Sequence, residues 1–164
     1  MIACTSKFLC YRGFVTGKLS KAELAAWQAF LHAHQQVIDK LDAELRAEHQ
    51  LTLSDYDVLL RLARVPEGRL GMTELAKRIM FSPSGLTRVI DRLVREGFVE
   101  RLRDTADARV VFARLTEKGR DTVRNAAKTH LRGIREHFAA RLGRRHLRNV
   151  AAALELIAGP HQPH

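Results

Sequence analysis

The chain has 164 residues, enough to bury one hydrophobic core, and it carries a formal net charge of +10. No apolar run approaches the roughly 18 residues that cross a bilayer, and residues 1–15 lack the apolar core of a secretory leader. We therefore expect a cytoplasmic protein with no membrane partner. A disulfide between the only cysteines, Cys4 and Cys10, is disfavoured in that reducing compartment.

The basic charge is distributed unevenly along the chain. Residues 1–68 hold 8 Lys/Arg and 8 Asp/Glu, residues 69–119 hold 11 and 7, and residues 120–164 hold 9 and 3, giving net charges of 0, +4 and +6. Net positive charge confined to the later segments is typical of a protein with a basic surface that binds a polyanion. A basic surface without a partner would give the same count. RNA is disfavoured as a partner because no aromatic-bearing sheet is predicted.

A long amphipathic helix is predicted from Ser20 to about Gln50, after an aperiodic tail of residues 1–19. Ser20 and Glu23 have the spacing of a capping box. Apolar residues then recur at the three- and four-residue spacings of a helix–helix seam, namely Leu24, Trp27, Leu31, Ile38, Leu41 and Leu45. His34 lies in this seam, where it either bonds a neighbouring backbone group or contacts a ligand.

The next helix is predicted to begin at Ser54, with Asp57 completing an acidic capping pair. Its buried side comprises Val58, Leu59, Leu62 and Ala63. The segment 66–68, Pro-Glu-Gly, ends this helix. A short strand around Leu70 would then add a third member to a later sheet.

Residues 72–97 predict two short helices with a turn between them. Ser82 can cap the second helix, Pro83 suits its first position, and Gly97 suits a left-handed end. One face of the second helix is apolar, and the other carries Ser84, Thr87, Arg88, Asp91, Arg92 and Arg95. A recognition helix in a major groove requires this combination of an apolar back with arginines and small donors in front. An ordinary amphipathic helix with a solvated basic face is the alternative.

Two β-rich runs, residues 98–102 and 110–115, flank a polar turn and predict a hairpin, or wing, directly after the helix pair. Within this turn, Asp107 can hold the Arg109 guanidinium extended through a charge-assisted hydrogen bond. An extended arginine suits a narrow, electronegative minor groove. The alternative is a surface ion pair that contributes little.

The remaining chain predicts a helix from residue 120 to about 142, a break at Gly143, a last helix to about residue 158 and a tail at 159–164. The last helix carries a stripe at spacings of three and four, comprising Leu147, Val150, Leu154 and Ile157. A single helix cannot bury such a stripe by itself. We therefore expect a dimer in which this stripe and the seam of the first helix are covered.

The sequence resembles the MarR family, the multiple-antibiotic-resistance regulators. The matching motifs are MTELAKRI at 72–79, SPSGLTRVIDRLVREGFVER at 82–101, the Asp107-x-Arg109 pair and LTEKG at 115–119, within a resemblance that runs from about Leu24 to Ile157. It implies a mainly α fold with a small antiparallel β-wing, a winged helix-turn-helix at 53–119 and dimerisation helices at 20–52 and 120–158. The wing departs from the DPxDRR often found in the family, since this chain reads DTADAR at 104–109 and lacks the proline and the first arginine.

The resemblance implies a ligand-responsive repressor that binds a near-palindromic operator in double-stranded DNA as a homodimer. The residues expected to contact DNA are Ser82, Ser84, Gly85, Thr87, Arg88, Arg92, Arg95, Asp107 and Arg109. The resemblance also implies a pocket for a small aromatic or phenolic effector near Trp27, His34 and Tyr56. No cofactor is expected.

Other classes of function have weaker support in the sequence. An enzyme is not expected because G-x-S-x-G and phosphate-binding glycine loops are absent. The 8 histidines are scattered without H-E-x-x-H or paired C-x-x-C, so no metal ligands are assigned, although His130 and His137 could share a helix face. A metal-responsive regulator, a redox-responsive regulator with Cys10 beside Arg12, and a non-specific architectural DNA-binding protein stay open as alternatives.

Overall fold

The computed structural model describes residues 19–79, 83–104, 107 and 110–159. The helices are α1 (Lys21–His49), α2 (Leu53–Ala63), α3 (Met72–Ile79), α4 (Pro83–Arg95), α5 (Glu117–Ile134) and α6 (Ala140–Ala158), and the strands are β1 (Arg69–Gly71), β2 (Val99–Arg103) and β3 (Val111–Leu115). A π-helical turn, Arg135–Ala139, joins α5 to α6. The described helices include none that is long and apolar enough to span a membrane. The predicted mainly α fold with a small sheet is confirmed.

The three strands form one antiparallel sheet in the order β1-β3-β2. The β2–β3 hairpin is the predicted wing, and its register places Glu100 opposite Arg114. These two side chains form a cross-strand ion pair at 2.6 Å. Leu70 on β1 pairs with Ala113 on β3, which confirms the predicted third strand and closes the sheet on the side away from β2.

The hydrophobic core lies where α2, α3, α4 and the sheet meet the C-terminal part of α1 and the first half of α5. The apolar stripe of α4 faces this core, since Leu86, Ile90 and Leu93 are all buried. Burial of each such side chain contributes about 1.5–3 kcal/mol, so the stripe holds α4 firmly on the lobe and orients its other face to solvent.

The start of α2 shows that the predicted capping pair was wrong. The helix begins at Leu53, and its N-cap is Thr52, whose Oγ1 accepts from Asp55 N at 3.0 Å while an Asp55 oxygen accepts from Thr52 N at 2.8 Å. Thr52–Asp55 and the predicted Ser54–Asp57 have the same spacing, so the local pattern could not choose between them. At α1, by contrast, the Ser20–Glu23 capping box is confirmed, with hydrogen bonds of 2.6 and 3.2 Å.

Glycines were predicted to end two helices, and the structure confirms one of these predictions in full and the other in part. Gly97 ends α4 with a left-handed φ of 74°, as predicted. Gly143 also has a left-handed φ, 65°, and produces a kink near the start of α6. The helix before it was predicted to run unbroken to about residue 142, but its α-helical hydrogen bonding ends at Ile134 and the π-helical turn follows.

Among the described residues, 19–36 belong to one compact unit and those from 37 onward to a second. The described part of the first unit is the N-terminal portion of α1, which exposes Trp27 and Phe30 with their ring centroids 6.0 Å apart. In the second unit, α6 exposes Ile157 to 83% of its accessible surface. Both helices therefore carry apolar side chains that their own unit leaves in water.

Candidate nucleic-acid interface

The outer face of α4 is polar and basic. Ser84, Thr87, Arg88 and Arg95 are exposed, while Gly85 is half-buried at the flank. Among the described residues, none forms an ion pair or side-chain hydrogen bond with Arg88 or Arg95. Two guanidinium groups on one side of a helix, held outward by a buried apolar back, can bind phosphates or the acceptor edges of bases. The predicted cap, Ser82, lies outside the described residues.

Arg92 is placed differently from the other arginines of α4. Its Nε donates to Asp55 Oδ1 at 3.0 Å, and its Nη2 donates to the same oxygen and to Thr52 Oγ1. The Asp55 side chain is only 3% exposed. Arg92 therefore joins α4 to the capping box of α2. The sequence did not predict this contact because the two residues are 37 positions apart.

The same capping region is joined to α1. Asp42 Oδ1 accepts from Leu53 N at 2.7 Å, and Asp42 Oδ2 lies 2.5 Å from Arg46 Nε. Burial of Asp42 opposes its ionisation, but hydrogen bonds from Arg46 and from the Leu53 N–H outweigh this effect and lower the pKa of Asp42. Asp42, Leu53, Asp55 and Arg92 thus form a polar chain from the C-terminal part of α1 to α4.

The wing is attached to α4 by an ion pair. Arg101 on β2 donates to Asp91 on α4 at 2.6 Å. Asp91 was placed on the polar face by its periodicity, but its partner follows only from the hairpin geometry. The pair joins α4 to the wing across the surface, where an exposed ion pair contributes little to stability.

The LTEKG motif holds the base of the wing on α5. Thr116 caps α5, with Oγ1 accepting from Gly119 N at 3.0 Å and donating to Gly97 O at 2.8 Å. A Cβ added to Gly119 would lie 2.1 Å from Phe98 O, so only glycine permits this approach. Lys118 Nζ lies 4.8 Å from the centre of the Phe98 ring.

The wing tip contains a turn built on two aspartates. Asp107 N donates to Asp104 Oδ1 at 3.1 Å, and Val110 N donates to Asp107 O at 2.9 Å. Asp107 is exposed. Arg109, the predicted partner of Asp107, lies outside the described residues, so the Asp107–Arg109 pair stays a prediction.

A cleft of about 540 Å³ opens beside these elements. Its lining comes from the end of α1, the start of α2, the end of α4 and the start of α5, and includes His49, Asp55, Arg92, Phe98, Lys118 and Asn125. The lining carries both signs of charge beside the ring of Phe98, since Asp55, Glu96 and Asp121 lie in it together with Arg92 and Lys118. This cleft was not predicted, because its lining combines segments that are far apart in the sequence.

The residues predicted to line an effector pocket are not among those that line this cleft, so a pocket at those residues stays a prediction. Trp27 and His34 belong to the first unit, where both flank Phe30 on α1. Tyr56 belongs to the second unit, where it is buried with its ring centroid 4.7 Å from that of His130. Burial raises the pKa of Tyr56 and lowers the pKa of His130, so both rings favour their neutral forms in the fold.

Comparison with known proteins gives a consistent result. The model of the MarR family matches residues 51–111. The transcriptional regulator AdcR of Streptococcus pneumoniae is 38% identical over 74 residues, which cover 45% of this chain and 49% of AdcR. The chain spans about half the length of the curated relatives it matches first.

Two solved structures from Streptomyces coelicolor match over most of both chains. AbsC, a MarR family transcriptional regulator, superposes with a TM-score of 0.80 at 33% identity, covering 87% of this chain and 96% of AbsC. Sco3205, a MarR family transcriptional regulator solved in complex with DNA, has a TM-score of 0.80 at 30% identity, covering 90% of this chain and 92% of Sco3205.

Proposed function

Because the chain belongs to the MarR family, we propose that it is a sequence-specific DNA-binding transcriptional regulator that acts as a homodimer on a near-palindromic operator. The relatives are named as transcriptional regulators, not as enzymes. The observation that carries the proposal is the outer face of α4, where exposed Arg88 and Arg95 stand on a helix whose opposite face is buried. Repression follows where the bound dimer covers a promoter and excludes polymerase.

The two arginines have different places on the helix and so different proposed roles. Arg88 lies near the N-terminal end of α4, one turn after Ser84, which is the part of a recognition helix that meets base edges. A bidentate arginine on guanine O6 and N7 contributes about 1–3 kcal/mol of discrimination. Arg95 is the last residue of α4 and is better placed for phosphates, which add affinity without sequence preference. Arg109 at the wing is proposed to enter the flanking minor groove.

Dimerisation is supported by the apolar stripe of α6, in which Leu154 and Ile157 are exposed. Two copies related by a two-fold axis would present two α4 helices to successive major grooves, spaced by about 34 Å in B-DNA. A near-palindromic operator matches that symmetry.

The decisive experiment compares Arg88→Ala with Arg95→Ala on operator and random DNA across a salt series. Arg88→Ala is expected to lose operator affinity by about 10–100-fold and to relax the preference at one base pair of each half-site. Arg95→Ala is expected to lower the affinity for both DNAs alike. It should also reduce the slope of log affinity against log salt concentration by about one. Arg109→Ala should weaken operator binding without unfolding the protein. If wild type binds operator and random DNA equally, the regulator proposal fails and an architectural protein replaces it.

An effector that releases DNA is proposed for the cleft of about 540 Å³, because it touches both Arg92 of α4 and the start of α5. An aromatic carboxylate there would compete with Asp55 for Arg92 and so change the angle of α4. Operator release by a panel of aromatic and phenolic acids tests this, with Lys118→Gln expected to reduce the response and His34→Gln serving as the comparison variant. Release that depends on His34 and not on Lys118 would place the effector on α1 instead.

A further inference from the structure

We propose that the second unit contains a binding site for a first-row divalent cation, of which Zn²⁺ is the best match, outside the DNA-binding lobe. Its donors are Glu44 on α1 with Glu136 and His137 on the π-helical turn. One donor atom from each residue lies within 4.8 Å of the other two. One imidazole nitrogen and two carboxylate oxygens suit Zn²⁺, which takes three protein ligands and leaves the fourth position to water.

The local backbone explains why these donors converge. The π-helical turn at Arg135–Ala139 widens the helix between α5 and α6, and such turns are frequent at functional sites. One turn earlier, a Cβ added to Gly133 would lie 2.6 Å from Leu41 Cδ2 and 2.8 Å from Glu44 Oε2. Glycine at this position therefore leaves room for the ends of the Leu41 and Glu44 side chains beside α5.

Two buried polar atoms at this point lack the partners that burial normally requires. The His137 side chain is 10% exposed, and within the described part of the chain neither its Nδ1 nor Glu44 Oε2 has a hydrogen-bond partner. A buried carboxylate oxygen without a donor is costly. The nearest guanidinium, that of Arg132, is 3.9 Å from Glu44 Oε2 and bonds Glu48 more closely. A cation bound by the Glu44 carboxylate would compensate the buried Oε2.

The hydrogen bond between Glu44 and His137 marks the position that an ion would take in this site. Glu44 Oε1 and His137 Nε2 are joined by one hydrogen bond. An ion about 2.0–2.2 Å from each donor would replace the proton of that bond, releasing it to solvent, after small side-chain rotations separate the two atoms. Glu136 is exposed, so it provides the entry path and can rotate to complete the set.

The donor set also indicates which ions should bind poorly. Mg²⁺ and Ca²⁺ prefer all-oxygen coordination with six or more ligands. Here one of three donors is an imidazole nitrogen, which favours Zn²⁺ and its neighbours in the first transition row. Mg²⁺ in large excess should therefore fail to displace the bound ion.

The test is a Zn²⁺ titration of the chelator-treated full chain by calorimetry, with Co²⁺ absorption in the visible range as a coordination probe. We expect one ion per chain bound through this site. Glu44→Gln and Glu136→Gln should each raise the dissociation constant at least about tenfold. Glu136→Gln is the safer variant for folding because this side chain is exposed. Glu48→Gln is the matched control, since Glu48 lies one turn along α1 and bonds Arg132 and Thr129.

The outcomes separate this site from histidines elsewhere in the chain. Loss of tight binding in both cluster variants, with Glu48→Gln unchanged, supports the proposal. Absence of binding in wild type, or wild-type affinity in either cluster variant, overturns it. As a second readout, Zn²⁺ should raise the melting temperature of wild type and Glu48→Gln but not of Glu136→Gln. None of these measurements uses DNA, so the regulator proposal can fail without affecting them.

Discussion

The winged lobe and the last helix use the same kind of apolar stripe in opposite ways. On α2, Val58, Leu59 and Leu62 are 0% exposed because α2 packs against α5, α3, α4 and the sheet. On α6, Leu154 and Ile157 repeat with helical spacing but remain 37% and 83% exposed. The lobe thus completes its core within one chain, whereas no described element of the second unit covers the end of α6. The lobe therefore buries its stripe together with the end of α1 and the start of α5, whereas we expect a partner chain to cover the stripe of α6.

The largest expected effect tests how much the buried stripe of α2 contributes to the stability of the fold. Leu59→Ala removes a fully buried side chain and should lower the free energy of unfolding by about 2–5 kcal/mol, measured by urea denaturation. Leu156→Ala is the matched control, since Leu156 is 89% exposed and lies off the α6 stripe. Its effect should stay within about 0.5 kcal/mol. Equal losses of unfolding free energy in both variants would contradict the difference in burial between α2 and α6.

The next effect concerns the partner of α6. Leu154→Glu combined with Ile157→Glu places charges in the apolar stripe and should raise the dimer dissociation constant at least about a hundredfold, a cost of about 3 kcal/mol. Sedimentation at micromolar concentration measures this, and circular dichroism should show the lobe still folded. Asn149→Glu adds a charge to the exposed opposite side of α6 and should leave the dimer intact. A wild-type chain that sediments as a folded monomer would contradict the two-half-site mechanism.

A third effect distinguishes an arginine that stabilises the lobe from one that faces outward. Arg92→Ala removes the charged partner of buried Asp55 and should cost about 1.5–3 kcal/mol of unfolding free energy. Arg95→Ala removes an exposed side chain at the end of the same helix and should cost less than about 0.5 kcal/mol. Thermal denaturation of both variants at one pH is sufficient. A stable Arg92→Ala protein with reduced DNA affinity would instead assign Arg92 to the DNA interface.

The smallest effect is a pH dependence at the contact between α2 and α5. Burial lowers the pKa of His130 from its ordinary value of 6.5, with Asp57 opposing the shift. The folded state therefore favours the neutral ring, and the stability that this provides is complete above pH 6.5 and is lost as pH falls through the folded-state pKa. Melting temperatures from pH 7.5 to 5 should fall more steeply for wild type than for His130→Gln. Parallel curves of melting temperature against pH would show that His130 does not contribute to the pH dependence of stability.

The sequence by itself determined the elements of the lobe. Apolar spacing of three and four predicted the buried face of α4, and two β-rich runs flanking a polar turn predicted the wing. Pro83 and Gly97 marked the two ends of α4, and Ser20 with Glu23 marked the start of α1. These signals are local because caps and periodicity involve residues within a few positions of one another, so a single chain segment contains the whole of the physical cause.

Tertiary structure decided what depends on distant partners. Thr52 was selected over Ser54 as a cap where Asp55 could also meet Arg92, and a local pattern contains no information about that meeting. In the same way, Glu44 and His137 are 93 residues apart, and they come together only because α1 packs beside the helical segment that follows α5. Polar side chains are long and can find partners in many directions, so their pairing is fixed by how helices pack and not by spacing along the chain.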